Sequence, residues 1–201
     1  MPKRPSRDII LDRGLDLLSQ VGLNGVTLGV LAAETGMSKS GLFAHFKSKI
    51  EIERALLRRM ANVAQATVVS PAMKLDGLDR LRAVVTNWLG WTTRAGLSGG
   101  CPIAAALFEL DDQDSEIRDE VMAMESRWRE ILAQLAQDAI ARGELRADLD
   151  VDQFVWEICG IYLSHHASSR FLKDAASDSR AQIAFQALIQ RATAPSAKTS
   201  S

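Results

Sequence analysis

Short and polar side chains cluster in one segment of the chain. They are Ser38, Lys39, Ser40, Gly41, Ala44 and His45. Lys39 and Ser40 could reach base edges in the major groove of DNA, and their small neighbours would let the backbone approach closely. Lys49 follows at the expected start of another helix, where its ammonium and the backbone amides can share one phosphate. The predicted chemistry is therefore noncovalent recognition of DNA.

Two short helices joined by a tight turn are predicted to position these side chains. Thr27 is expected to cap the first helix, the run Thr35-Gly36-Met37 reads as a turn, and Ser38 is expected to cap the second helix. Leu42 and Phe46 lie four residues apart and should anchor the second helix in the core. This layout is typical of a helix-turn-helix, whose second helix enters the major groove.

Helical periodicity dominates the rest of the chain, without strand alternation or an internal repeat. The further helices are predicted around residues 10–21, from Ser48 to Ala64, from Asp76 through Trp91, over 103–110, over 117–135, from Asp150 to Phe171, and over 177–192. The predicted fold class is all-α, with an N-terminal three-helix helix-turn-helix domain at 1–47 and a larger helical bundle domain at 48–201. A small polar tail at 193–201 is expected to be disordered.

Composition limits the function classes. The 201 residues carry 24 Lys+Arg and 25 Asp+Glu, a net charge of -1, and 47% of them are hydrophobic. No apolar run reaches about 18 residues, so no transmembrane helix is expected, and the N-terminus lacks a signal-peptide core. A cytoplasmic protein is predicted. The net charge argues against DNA binding, yet residues 1–70 carry +4 and the remainder -5.

Metal binding and catalysis find little support in the sequence. The adjacent His165 and His166 point in different directions on a helix, so one of them is expected to hydrogen-bond instead of sharing a metal. Cys101 and Cys159 are expected to be reduced thiols; Cys101 could be a redox sensor, but an inert buried thiol is favoured. The acidic run 111–114 reads as a solvated, helix-capping loop, and no catalytic motif, metal or cofactor is expected.

The aromatic residues suggest a cavity in the C-terminal part. All four tryptophans lie at or beyond residue 88, a distribution that suits a bundle with an aromatic-lined site. Simple core packing is the alternative. The candidate lining residues are Trp88, Trp91, Phe108, Met122, Trp128, Phe154 and Tyr162. They suggest an apolar or aromatic small molecule as the ligand.

One stretch carries a specific resemblance. Residues 27–52, TLGVLAAETGMSKSGLFAHFKSKIEI, resemble the DNA-binding signature of the TetR family of bacterial transcription regulators. The run from Leu42 to Lys49 matches the family's most characteristic pattern, an aromatic residue, one variable residue, His or Tyr, then Phe, with Lys three on. Beyond residue 50 the resemblance rests on helix order and length.

The resemblance implies roles for particular residues. Lys39, Ser40 and Gly41 fall where family members touch bases. The positions that contact phosphates in the family correspond to Thr27, Phe43, His45 and Lys49. Position 43 is usually Tyr, and Phe43 has no hydroxyl to donate, although its ring can still pack on the sugar backbone.

The resemblance also implies a mode of action. The chain is expected to be a homodimeric, ligand-responsive repressor that a small molecule releases from a pseudo-palindromic double-stranded operator. Its last two helices would form a four-helix interface, which would explain why residues 154–163 are apolar on nearly every side. The alternative is a helical small-molecule-binding bundle, or an enzyme, whose N-terminal helices serve protein contacts.

Overall fold

The computed structural model describes residues 6–193, and all regular elements within that range are helical. The helices are α1 (Arg7–Gly25), α2 (Leu28–Thr35), α3 (Lys39–Phe43), α4 (Lys49–Ala64), α5 (Gly77–Trp88), α6 (Trp91–Arg94), α7 (Pro102–Glu109), α8 (Glu116–Ala141), α9 (Val151–Arg170) and α10 (Ser177–Ala192). A π-helical turn (Gln65–Val69) and a 3-10 turn (Ser70–Ala72) follow α4. The all-α prediction is confirmed, while the predicted tail beyond Thr193 lies outside the described residues.

Side-chain caps start the helices around the helix-turn-helix. The hydroxyls of Thr27, Ser38 and Ser48 each accept a hydrogen bond from the amide three residues on, at 3.1–3.2 Å. These bonds satisfy amides that would otherwise lack partners at a helix start, and those at Thr27 and Ser38 confirm the predicted caps. At the start of α4 the side chain of Glu51 also reaches back and accepts a hydrogen bond from the amide of Lys47, at 2.8 Å.

The helix predicted from Asp76 through Trp91 is wrong at its C-terminal end. Helix α5 begins after Asp76 as expected but ends at Trp88, and Trp91 opens the separate helix α6. Gly90 lies between them with a φ of 72°, a left-handed conformation that interrupts a helix and suits glycine. The hydrophobic spacing continues across this break, so periodicity alone did not reveal it.

Contacts between residues divide the chain into two compact units. The first contains the residues up to 67 together with 91–125, and the second contains 68–90 together with the residues from 126 onward. Helices α1 to α4 belong to the first unit, and the division falls within α8. Between residues 6 and 193, no helix combines the length and apolar character that a membrane-spanning helix needs.

The core of the first unit forms where α1, α2 and α4 meet. Ile10, Leu31 and Leu56 are fully buried there. Gly14 allows the close approach, because a Cβ at that position would lie 2.7 Å from a methyl carbon of Leu56 and 3.2 Å from one of Leu31. Each buried leucine or isoleucine side chain contributes roughly 1.5–3 kcal/mol through removal of apolar surface from water.

A short segment at residues 98–100 holds α1 through hydrogen bonds. Asp16 Oδ1 accepts from the amide of Ser98 at 2.6 Å. The hydroxyl and carbonyl oxygens of Ser19 accept from the amides of Gly99 and Gly100, at 3.0 and 2.9 Å. The approach is so close that a Cβ on Gly99 would lie 1.9 Å from the carbonyl oxygen of Ser19. Only glycine fits this contact without displacement of the backbone.

We predict that Gly99→Ala lowers the free energy of unfolding by about 2–3 kcal/mol, the range of a severe overpacking defect. The new methyl group must push the segment away from α1 and weaken the bonds to Ser19. Urea-induced unfolding measures the effect. Gly29→Ala is the matched control, since a Cβ there meets only ordinary contacts and should cause no loss. Equal stability of the two variants would contradict this account of the contact.

Candidate nucleic-acid interface

Helix α3 presents its predicted DNA-contacting side chains at the surface. Ser38, Lys39, Ser40 and Phe43 are exposed, and Gly41 and His45 are partly exposed. The anchor consists of Leu42, on the opposite side of α3, and Phe46, three residues after the helix ends. Both are fully buried, which confirms the predicted anchoring pair.

The anchor matters because α3 has only five helical residues. A helix of this length is unstable on its own in water, since nucleation costs more than so few hydrogen bonds return. Leu42 and Phe46 therefore hold it through burial, and the guanidinium of Arg7 lies 5.0 Å from the ring centroid of Phe46, within cation–π range. The direction in which Lys39 and Ser40 point depends on these contacts.

Lys39 lies close to the start of α2. A Cβ built on Gly29 would be 3.6 Å from Cε of Lys39 and 3.9 Å from both its Nζ and the hydroxyl oxygen of Thr27. The stem of Lys39 thus lies beside Gly29, at a distance where a methyl group on Gly29 would make only an ordinary contact.

Lys49 makes a contact that sequence reasoning missed. Its Nζ lies 3.0 Å from Oε1 of Glu53, one helical turn further along α4, and Glu53 is buried while Lys49 is exposed. The spacing of four residues was the available signal. Any phosphate that Lys49 binds must share the ammonium with this carboxylate.

Two other cations of α4 are paired within the first unit. Arg54 donates to Glu120 at 2.9 Å and to Glu116 at 2.7 Å. These hydrogen bonds raise the pKa of the Arg54 guanidinium above its ordinary value. Arg59 donates to Asp12 at 2.8 Å. Arg54 and Arg59, two of the ten Lys and Arg residues at 1–70, are therefore paired with carboxylates, whereas Arg58 on the same helix is exposed.

Three residues of the predicted aromatic set come together in the second unit. The rings of Trp88 and Tyr162 stack with centroids 3.8 Å apart and planes 7° from parallel. Trp128 lies on α8 with its ring centroid 4.9 Å from that of Trp88 and at 65° to it. We call these three residues the aromatic cluster.

The other members of the set lie elsewhere. Phe154 is buried on α9, and Trp91 is buried in the first unit. Phe108 and Met122 also belong to the first unit, but they are exposed, Phe108 at 67%. Membership of the cluster depends on contacts between helices distant in sequence, which aromatic composition does not reveal.

A groove between α5 and α10 was not singled out from the sequence. It has a volume of about 420 Å³ and an apolar floor of Leu89, Phe185 and Ile189. Its polar sides are Arg82 and Thr86 on α5 and, at intervals of four residues on α10, Gln182, Gln186 and Gln190. That interval places the glutamines on one face of α10. It was the only feature of the sequence that could have indicated the groove.

The two histidines of α9 have different surroundings. Nε2 of the buried His165 lies 2.6 Å from a carboxylate oxygen of Asp178, so one of the pair makes a hydrogen bond, as expected. Burial lowers the pKa of His166, and the nearby charges of Arg170 and His165 lower it further. Among the described residues, no three His, Cys, Asp or Glu side chains gather where they could hold a metal ion, and Cys101 and Cys159 are buried and form no disulfide.

Helices α2 and α3 form a helix-turn-helix. Its second helix, α3, exposes polar side chains and is anchored by buried apolar ones, an arrangement typical of DNA-binding proteins. Comparison with known proteins makes the class specific. The family model "Bacterial regulatory proteins, tetR family" matches residues 10–56, and the model "Tetracyclin repressor-like, C-terminal domain" matches residues 77–185. The second match alone spans more than half of the chain. The protein therefore belongs to the TetR family of bacterial transcriptional regulators.

Individual relatives agree with this assignment. The nucleoid occlusion factor SlmA of Cronobacter sakazakii is 29% identical over 134 residues, which cover 65% of this chain and 67% of that protein. A TetR transcriptional regulator from Chloroflexus aurantiacus superposes with a TM-score of 0.79 and 26% identity over 92% of both chains. AibR, solved with isovaleryl coenzyme A and operator DNA, has a TM-score of 0.69 and 22% identity, over 94% of this chain and 98% of that one.

The lowered pKa of His166 predicts a pH dependence of stability. An unfolded histidine titrates near pH 6.5, whereas His166 in the folded chain stays neutral to lower pH. As the pH falls through and below about 6.5, the unfolded chain takes up this proton first, so the free energy of unfolding decreases. His166→Gln should reduce that decrease, measured by urea unfolding at several pH values. Identical pH profiles of the two proteins would contradict the prediction.

Proposed function

We propose that this regulator is a homodimeric repressor that binds a pseudo-palindromic double-stranded operator and that a small molecule releases it. The observation that carries the proposal is the exposed polar face of α3 opposite the buried Leu42, together with the buried Phe46 that follows the helix. Residues 1–47 would bind DNA, and residues 48–201 would bind the effector and the second copy. It would act by binding rather than catalysis, in the cytoplasm, where bacterial DNA lies.

The proposed DNA contacts divide into two kinds. Lys39, Ser40 and Gly41 would meet base edges, helped by Ser38 at the start of α3. Contacts to the phosphate backbone would come from Thr27, Phe43, His45 and Lys49. The ring of Phe43 is 46% exposed, so it can pack on the sugars although it donates no hydrogen bond. Lys49 has three ammonium hydrogens, enough to serve both Glu53 and one phosphate.

This division predicts opposite behaviour for two lysine variants. Lys39→Ala should relax sequence preference, since a base contact is worth about 1–3 kcal/mol of discrimination. Lys49→Ala should weaken binding to all duplexes alike and reduce the slope of log affinity against log salt by about one. Fluorescence anisotropy with operator and scrambled duplexes over a range of salt concentrations measures both effects.

Lys74→Ala is the control for loss of one positive charge, because Lys74 is exposed and lies in the second unit. It should change neither the sequence preference nor the salt slope. If both test variants behave alike, the roles assigned to the two lysines are wrong. If the wild-type protein binds no duplex even at low salt, the regulator proposal itself fails and the alternative, a helical bundle that uses its N-terminal helices for protein contacts, replaces it.

The proposed dimer interface uses the outer faces of α9 and α10. One side of α9 is buried in its own unit through Phe154, Ile158 and Tyr162. The other side exposes Trp156 at 64% and Gly160, where a Cβ would meet no atom within 4 Å. Ile183 on α10 is equally exposed, at 65%. A second copy on this surface would remove large apolar side chains from water, and glycine would allow close helix packing.

We predict that Trp156→Glu dissociates the dimer. A charge in the centre of an apolar interface should raise the dimer dissociation constant at least about 30-fold, as expected for loss of a buried tryptophan anchor. Sedimentation equilibrium measures the change. Phe108→Glu is the matched control, because Phe108 is similarly exposed but lies in the first unit. An unchanged assembly state of Trp156→Glu would reject this surface as the interface.

Release from the operator requires an effector with unequal affinity for two states of the protein. An effector that prefers the DNA-incompetent state shifts the population by no more than its differential affinity allows. The aromatic cluster is the proposed effector site, because it gathers three aromatic rings, two of them buried, in the second unit, and these rings would present planar apolar surface to an aromatic ligand once they separate. The AibR structure, which contains isovaleryl coenzyme A and operator DNA, supports the combination of small molecule and operator for this fold.

A further inference from the structure

The indole nitrogen of Trp128 is buried and has no hydrogen-bond partner. Between residues 6 and 193 one other buried side-chain nitrogen shares this condition, Nε of Arg146. The guanidinium of Arg146 is nevertheless engaged, since its Nη1 donates to Asp148 at 3.1 Å. Trp128 has a single donor, so its whole hydrogen-bonding capacity is unused.

An unpaired donor of this kind is uncommon. More than about nine in ten buried polar groups in proteins have a partner, because water lost on burial must be replaced. The ring of Trp88 lies at 65° to that of Trp128, and a contact between an N–H group and a ring is only a weak substitute for a hydrogen bond. The donor therefore belongs to a ring packed against Trp88 and has no acceptor.

We infer that the effector of this protein is an uncharged, flat aromatic molecule with a hydrogen-bond acceptor, a ring nitrogen or a carbonyl oxygen, that binds Nε1 of Trp128. This inference rests on the proposed function, because it specifies the ligand of the aromatic cluster. The rings of Trp88 and Tyr162 are buried and stacked on each other. In an opened cluster they would supply aromatic faces for stacking, and the neutral donor would orient the ligand.

The burial of the nitrogen adds a regulatory consequence. Trp128 is partly exposed as a residue while its nitrogen is covered, so the acceptor reaches it only after the ring turns or its neighbours shift. In the conformation opened by that movement, the bound ligand accepts a hydrogen bond from Nε1 of Trp128. In the closed conformation the ligand cannot reach this nitrogen, and the nitrogen has no partner. Such a difference between two states is what a ligand needs in order to shift a population.

Naphthalene and quinoline are suitable probes, because they have nearly the same size and shape and quinoline replaces one C–H by an acceptor nitrogen. Calorimetric titration of the full chain near neutral pH, without DNA, should show quinoline binding about five- to tenfold more tightly than naphthalene, the usual gain from one satisfied donor. Trp128→Phe should abolish this preference and leave naphthalene binding within about twofold. Phe108→Leu, which changes an exposed aromatic side chain in the first unit, should preserve the preference.

Equal affinities of the two probes for the wild-type protein would overturn the inference, and that comparison does not depend on any variant folding correctly. It would also be overturned if the preference persisted in Trp128→Phe, or if neither probe bound. Operator binding is measured separately by anisotropy. Failure to bind DNA would thus reject the proposed function, while the probe preference would still report on the aromatic cluster.

Discussion

The burial of Leu42 and Phe46 is the interaction on which the DNA-facing surface depends. A helix of five residues is unstable on its own in water. Helix α3 forms because Leu42, on its buried side, and the following Phe46 are held in the core of the first unit. Ser38 then fixes where the helix begins, and Arg7 covers the ring of Phe46 from α1. The same few contacts determine both the stability of α3 and the direction of its polar side chains.

Helix α1 connects that surface to the rest of the first unit. One side of α1 packs on Leu31 and Leu56, and its polar groups bind the segment at residues 98–100. Glu109 extends the connection, since its carboxylate accepts from the amide of Asn24 at 3.1 Å. These contacts join residues that lie some eighty positions apart in the chain, so the helix-turn-helix is part of a larger unit rather than an independent module.

Local features of this structure could be predicted from the sequence, and long-range ones could not. The caps at Thr27, Ser38 and Ser48 involve residues three apart, and the anchor pair Leu42 and Phe46 involves one helical turn, so residue types and spacing were sufficient. The break at Gly90 was missed because the hydrophobic period continues through it. The aromatic cluster brings together Trp88, Trp128 and Tyr162 from three helices, and no local pattern indicates which aromatic residues will meet.

The pairing of Arg54 with two glutamates and of Arg59 with Asp12 has a consequence for the search for a target in the genome. Nonspecific attraction to DNA grows with the number of unpaired cations that can replace counterions. Two of the three arginines of α4 are paired with carboxylates of their own unit, so this helix offers fewer cations to random DNA than its sequence suggests. A genome offers about 10⁶–10⁹ competing sites, so each cation that an internal pair withdraws leaves a larger fraction of the protein available to its operator.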